Sequence, residues 1–75
     1  MTTRILDAKG LSCPLPVLRA NKALKELAPG EVLEVQATDR GAPEDFISFC
    51  EATGSELMES REVEGVFIIT IRKGG

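Results

Sequence analysis

Residues 13–28 have the sequence CPLPVLRANKALKELA, and this stretch limits how the rest of the chain can fold. Apolar side chains recur at the spacing of one helix face, at Val17, Ala20, Leu24 and Leu27. Proline has no N–H to donate, so it is tolerated in the first turn of a helix but costs ~3 kcal/mol or more further inside. The stretch therefore predicts a helix from Pro14 to Ala28, with Cys13 as the N-cap and with Pro14 and Pro16 fixing the start.

The segments around this helix predict four strands and a second helix. Alternation of apolar and polar residues predicts strands over residues 3–7 and 31–38. Residues 56–63 and 66–73 are predicted to form two further strands, joined by a tight hairpin turn at Glu64-Gly65. A second helix is expected to begin near Pro43, to carry Phe46, Phe49 and Cys50 on its inner face, and to end at Gly54.

The resulting element order is β-α-β-α-β-β. Right-handed crossovers place the first two strands in parallel, and the final hairpin adds an antiparallel edge. The sequence therefore predicts an α+β fold, a two-layer α/β sandwich with a mixed four-stranded sheet.

The size and composition of the chain exclude many kinds of active site. A chain of 75 residues forms one small domain, in which a deep substrate cavity is not expected. Histidine, tryptophan and tyrosine are absent, which excludes Ser/His/Asp and Cys/His triads and histidine-based zinc sites. There is neither a long apolar run nor a signal peptide, so we expect a cytoplasmic protein without a membrane span.

The charge is unevenly distributed along the chain. Residues 1–25 hold five basic groups and one acid, whereas residues 26–64 hold two basic groups and eleven acids. Either the acids only solvate the surface, or the first helix presents a basic face, with Arg19 and Lys22, that docks an acidic partner. The net charge of −3 argues against direct binding of nucleic acid.

The two cysteines, Cys13 and Cys50, are too far apart in sequence for a zinc ribbon or a C-x-x-C redox centre, so free thiols are expected. At the mouth of a helix, and with Lys9 or Arg19 nearby, Cys13 is predicted to favour its thiolate. Such a thiolate can take sulfur from a donor's persulfide and carry it as Cys–S–SH without a metal or cofactor. An inert capping cysteine is the alternative. Cys50 is predicted to be buried and inert, with a second sulfur-carrying thiol as its alternative.

Residues 6–17, LDAKGLSCPLPV, resemble the signature of the TusA (SirA-like) family of small sulfur-carrier proteins. The resemblance extends to Ile71-Arg72-Lys73, nearly the whole chain. It implies a single sulfur-carrier domain over residues 1–75, with a fold similar to the C-terminal domain of translation initiation factor three. It also implies a sulfurtransferase role, in which Cys13 carries persulfide sulfur.

The same resemblance implies the classes of partner. The donor would be a cysteine desulfurase or a rhodanese-type protein. The acceptor would be a DsrE-type relay protein or another protein that serves tRNA thiolation, molybdenum-cofactor assembly or sulfur oxidation. Two further residues of the motif, Asp7 and Gly10, also fit structural roles: Gly10 permits a turn with positive φ, and Asp7 accepts hydrogen bonds from loop amides.

Two features of the chain suggest other classes of function. The terminal Gly74-Gly75 resembles the end of ubiquitin-like β-grasp carriers, which hold sulfur as a thiocarboxylate, but a β-grasp domain opens with a hairpin, whereas here one strand leads directly into a helix. The similarity to a ribosome-binding domain suggests a non-enzymatic RNA-binding or regulatory module, against which the net charge argues.

Overall fold

The computed structural model describes residues 3–74 and confirms the predicted order of elements. The elements are β1 (Thr3–Ala8), α1 (Leu15–Lys25), β2 (Val32–Ala37), α2 (Ala42–Thr53), β3 (Glu56–Val63) and β4 (Val66–Arg72).

The four strands form one mixed sheet in the order β1-β2-β4-β3. Strand β1 runs parallel to β2, as the predicted crossover requires, and β4 runs antiparallel to both β2 and β3. The second strand of the hairpin therefore takes the inner position. The reason is its composition: β4 is VFIITIR and buries Ile69 and Ile71 completely, whereas nearly all of β3 is exposed.

A single apolar layer lies between the sheet and the two helices. It contains the alternate residues Leu33, Val35 and Ala37 of β2, which follow the period-two pattern of a strand with one buried face. The helices add residues at helical spacing, namely Ala20, Ala23, Leu24, Phe46 and Cys50. No polar or charged residue among residues 3–74 is buried in this layer.

Helix α1 differs from its predicted bounds at both ends. It begins at Leu15, with Pro14 as the N-cap, so the prediction that Cys13 is the N-cap is wrong by one residue. The Leu15 N–H donates to the Ser12 carbonyl at 2.8 Å, closing a turn that contains Cys13 and a cis Cys13–Pro14 peptide bond. The first helical bond runs from the Leu18 N–H to the Pro14 carbonyl at 3.0 Å.

The other end of α1 lies at Lys25 rather than at Ala28. The N–H groups of Glu26 and Leu27 donate to carbonyls only three residues back, at 3.1 Å each, which tightens and ends the helix.

Candidate functional site

Cys13 lies in the connection between β1 and α1, and its side chain is exposed. Pro16, two residues into the helical region, is buried and anchors the start of α1 against the core. A sulfur in this turn can be reached by another macromolecule, as the carrier hypothesis requires. Cys50 is also a free thiol but is buried on the inner face of α2.

The loop that leads to Cys13 is held by hydrogen bonds from two residues of the motif. Asp7 Oδ1 accepts a hydrogen bond from the Lys9 N–H at 3.0 Å. Gly10 has φ of +81° and donates its N–H to Thr38 Oγ1 at 2.9 Å, which ties the loop to the chain just after β2. These contacts are the structural ones expected of Asp7 and Gly10.

The Cys13 thiol borders an open depression of about 350 Å³ between α1 and α2, which we call the Cys13 depression. Its lining residues are Cys13, Pro14, Val17, Asp45, Ser48 and Phe49. Apolar side chains make up much of this lining, and Asp45 is the one charged residue in it.

The contribution of α2 to this depression was missed in the sequence analysis. Asp45, Ser48 and Phe49 stand at positions i, i+3 and i+4, so they share one face of the helix. That spacing marks a common face, but nothing local to α2 shows that the face meets Cys13.

The charge around Cys13 is the opposite of the predicted one. The pKa of the Cys13 thiol is raised, first by hydrogen bonding to the Asp45 side chain, then by desolvation, and then by the negative charges of Asp45 and Asp39. The prediction that the helix start and nearby basic groups favour the thiolate is therefore wrong. The thiol does not cap α1, and the acid that shares the depression with it, Asp45, comes from α2.

Arg19 and Lys22 line a different depression, of about 250 Å³, between α1 and β1. We call it the basic depression; its lining residues are Arg4, Leu6, Arg19, Lys22, Ala23 and Glu26. Arg4 forms an ion pair with Glu26 at 2.5 Å, whereas Arg19 and Lys22 form no ion pair within residues 3–74. This surface is near Cys13 in sequence but shares no lining residue with the Cys13 depression.

The geometry thus gives one exposed thiol, that of Cys13, at the edge of an open depression, while the other thiol, that of Cys50, is buried. A family model described as "Sulfurtransferase TusA" matches residues 4–73 of the chain. The chain belongs to the TusA family. Its match runs from the second residue of β1 to just past the end of β4, with Cys13 inside the matched range.

Individual relatives in the TusA family carry names that agree with this assignment. The chain is 54% identical over 68 residues to the sulfur carrier protein TusA of Allochromatium vinosum, covering 91% of this chain and 90% of the relative. It is 45% identical over 69 residues to the sulfur carrier protein TusA of Pseudomonas paraeruginosa, covering 92% of this chain and 87% of the relative. These relatives support a sulfur-carrier role, and hence sulfur transfer with donor and acceptor partners.

The fold is also that of a solved SirA-like protein. The crystal structure of a SirA-like protein from Desulfitobacterium hafniense superimposes with a TM-score of 0.85 at 34% identity, covering 99% of this chain and all of the other. The α+β fold with the order β-α-β-α-β-β is thereby confirmed.

Three other features of residues 3–74 bear on the kind of site the chain can carry: the second thiol, the arrangement of the acidic groups and the hydropathy of the helices. Burial raises the pKa of the Cys50 thiol, which makes it a poor nucleophile. Within residues 3–74, no group of three or more Cys, Asp or Glu side chains is arranged to hold a metal ion. Neither α1 nor α2 is long and apolar enough to cross a membrane.

Proposed function

We propose that this TusA-family chain is a persulfide carrier that accepts sulfur on Cys13 and passes it to an acceptor protein. The observation that carries the proposal is the exposed Cys13 thiol in the turn before α1, within a chain matched by the family from residue 4 to residue 73. A donor persulfide, R–S–SH, reacts with the Cys13 thiol to give R–SH and Cys13–S–SH. One S–S bond breaks and one forms, so the step needs no oxidant, metal or cofactor.

The shape of the molecule supports transfer between proteins rather than chemistry on a small substrate. The Cys13 depression is open, and the thiol of Cys13 is bordered there by one carboxylate, that of Asp45, and by largely apolar surface. We propose that a cysteine desulfurase or rhodanese-type protein supplies activated sulfur, and that a DsrE-type or other acceptor receives it. The acceptor's route would be tRNA thiolation, molybdenum-cofactor assembly or sulfur oxidation.

Incubation with a cysteine desulfurase and cysteine tests the proposal. Intact mass spectrometry should show one added sulfur, and peptide mapping should place it on Cys13. Sulfur found on Cys50 alone, or no sulfur with several competent donors, would contradict the proposal.

The same assay tests the thiocarboxylate alternative. Gly74 lies so close to the Gly54 carbonyl that a side chain would not fit there, which gives this glycine a packing role; Gly75 lies outside the described residues. We expect a chain that lacks Gly74 and Gly75 to be loaded with sulfur as the parent is. Loss of loading in the truncated chain, together with an ATP requirement for loading of the parent, would favour the thiocarboxylate route.

We also propose that Arg19 and Lys22 dock an acidic surface of a partner. The double variant Arg19→Glu, Lys22→Glu is expected to slow sulfur transfer roughly tenfold at low salt, with a smaller effect at high salt, because exposed charges steer association. The rate of loading at two ionic strengths measures this. The control Lys25→Glu, Arg61→Glu makes the same change in net charge outside the basic depression. Equal slowing in both double variants would show that only net charge matters.

Gly10 is expected to shape the Cys13 loop rather than to take part in transfer. Gly10→Ala should lower the free energy of unfolding by about 1 kcal/mol, because a residue with a Cβ is strained at positive φ even where space is open. Urea denaturation measures this cost, and loading of Cys13 should persist in the folded variant. Loss of loading at full stability would instead assign Gly10 a direct role.

A further inference from the structure

The sulfur-transfer step does not require the carboxylate of Asp45, which lines the otherwise largely apolar Cys13 depression. Asp45 projects from α2 into the space that adjoins the Cys13 thiol, and Pro14, Val17 and Phe49 surround it with apolar surface. Among the residues that line this depression there is no Lys or Arg to offset the carboxylate. A negative charge beside a nucleophilic sulfur disfavours formation of a second negative charge there.

A second carboxylate, that of Asp39, lies near the carboxylate of Asp45. Asp39, in the connection from β2 to α2, accepts a hydrogen bond from the Gly41 N–H at 3.1 Å. A Cβ placed on Gly41 would lie 3.2 Å from Asp39 Oδ2 and 3.7 Å from Asp45 Oδ2, so both carboxylates converge on this glycine. The two acids therefore form one region of negative charge at the start of α2, and both raise the pKa of Cys13.

We propose that Asp45 is a positioning residue that restrains the unloaded thiol and selects partners whose surface brings a positive charge into the Cys13 depression. This inference rests on the proposed function, since it concerns how Cys13 meets a donor. In the free carrier the thiol keeps its proton and is protected from adventitious electrophiles. When a Lys or Arg of the partner lies against Asp45, the negative charge is offset and the thiolate becomes accessible.

The bonds and protons of the transfer step balance when Asp45 acts in this way. The Cys13 thiol releases its proton to water, and its sulfur attacks the outer sulfur of the donor's persulfide. The donor S–S bond breaks, and the donor cysteine leaves as a thiolate that takes up a proton. The partner's cation is not consumed.

The two depressions together indicate the charge pattern of the partner's surface. The basic depression lies between α1 and β1, and the Cys13 depression lies between α1 and α2, so α1 separates surfaces of opposite charge. A complementary partner carries acidic side chains opposite Arg19 and Lys22 and a basic side chain opposite Asp45. This polarity fixes the orientation in which the partner docks.

The charge preference of Cys13 can be measured with thiol reagents of matched chemistry. Aminoethyl methanethiosulfonate is cationic and sulfonatoethyl methanethiosulfonate is anionic, and both add to a cysteine with loss of methanesulfinate. Cys13 of the parent should react faster with the cationic reagent than with the anionic one. Asp45→Asn should reduce the ratio of these two rates roughly threefold to tenfold, as expected for one charge near the sulfur in a largely aqueous setting. Peptide mapping assigns the adduct to Cys13.

Two variants control for effects on α2. Glu44→Gln removes the neighbouring acid in the same first turn, which does not line the depression, and should leave the ratio unchanged. Asp45→Glu keeps the charge and should restore most of the preference. A ratio in Asp45→Asn equal to that of the parent, or an equal loss in Glu44→Gln, would overturn the role of Asp45.

The pH dependence gives a second readout. With the neutral reagent iodoacetamide, the pH of half-maximal reaction at Cys13 should be lower in Asp45→Asn than in the parent, because the groups facing the thiol, Asp45 and Asp39, are both acids. Coinciding profiles would contradict the proposal. These reagents need no protein donor, so failure of sulfur loading would overturn the proposed function, whereas an unchanged ratio would overturn the role of Asp45.

Discussion

Cys13→Ser is expected to reduce sulfur loading to the background of the assay. A serine hydroxyl cannot form the S–S bond in which a carrier holds its sulfur, and no other exposed thiol exists in the described part of the chain. Because the side chain is exposed and serine has nearly the same size, the urea midpoint of the variant should match that of the parent. The measurement is intact mass after incubation with a desulfurase and cysteine.

Cys50→Ala serves as the matched control, because it removes the other cysteine. The Cys50 thiol lies in the core, so its replacement should lower stability modestly while leaving loading intact. If Cys13→Ser still gained one sulfur and Cys50→Ala did not, the buried thiol would be the carrier and the site proposed here would be wrong.

Phe46→Ala is expected to lower the free energy of unfolding by about 3–5 kcal/mol, the cost of deleting a fully buried aromatic side chain. A domain of this size is stable by only about 4–11 kcal/mol, so much of the stability would be lost. Far-UV circular dichroism in urea measures the change, since the chain has neither tryptophan nor tyrosine as a fluorescent probe.

The neighbouring residue provides the control for this substitution. Ile47 is 47% exposed, and Ile47→Ala should cost much less, within about 1 kcal/mol. Equal losses for the two variants would mean that the assigned inner face of α2 is wrong. Because Asp45 lies next to Phe46, partial unfolding of Phe46→Ala should also abolish the charge preference of Cys13.

Most of the fold could be predicted because the relevant signals are local. Alternation in residues 31–38 marked the buried face of β2, and Gly54, which has φ of +75°, marked the end of α2. The start of α1 was predicted one residue too early. The Leu15 N–H donates to the Ser12 carbonyl, so residues 12–15 form a turn and the helix begins only at Leu15. Such a turn depends on the conformation of the whole loop.

The candidate site was predictable only in part. The place of Cys13 before a helix follows from the two prolines, Pro14 and Pro16. The opposite charge of its surroundings could not be predicted, because Asp45 and Asp39 come from a distant part of the chain. The basic residue Arg4 of the basic depression was missed for the same reason, since β1 and α1 meet only in the folded molecule.

By itself the sequence determined the order of the elements, the buried faces and the position of the one exposed cysteine, because each depends on side chains close together along the chain. Only the tertiary structure decided the strand order β1-β2-β4-β3 and the charge that Cys13 meets. Strand order depends on which strand buries the most apolar surface. The electrostatic potential at a sulfur atom depends on distance in space, which a linear sequence does not contain.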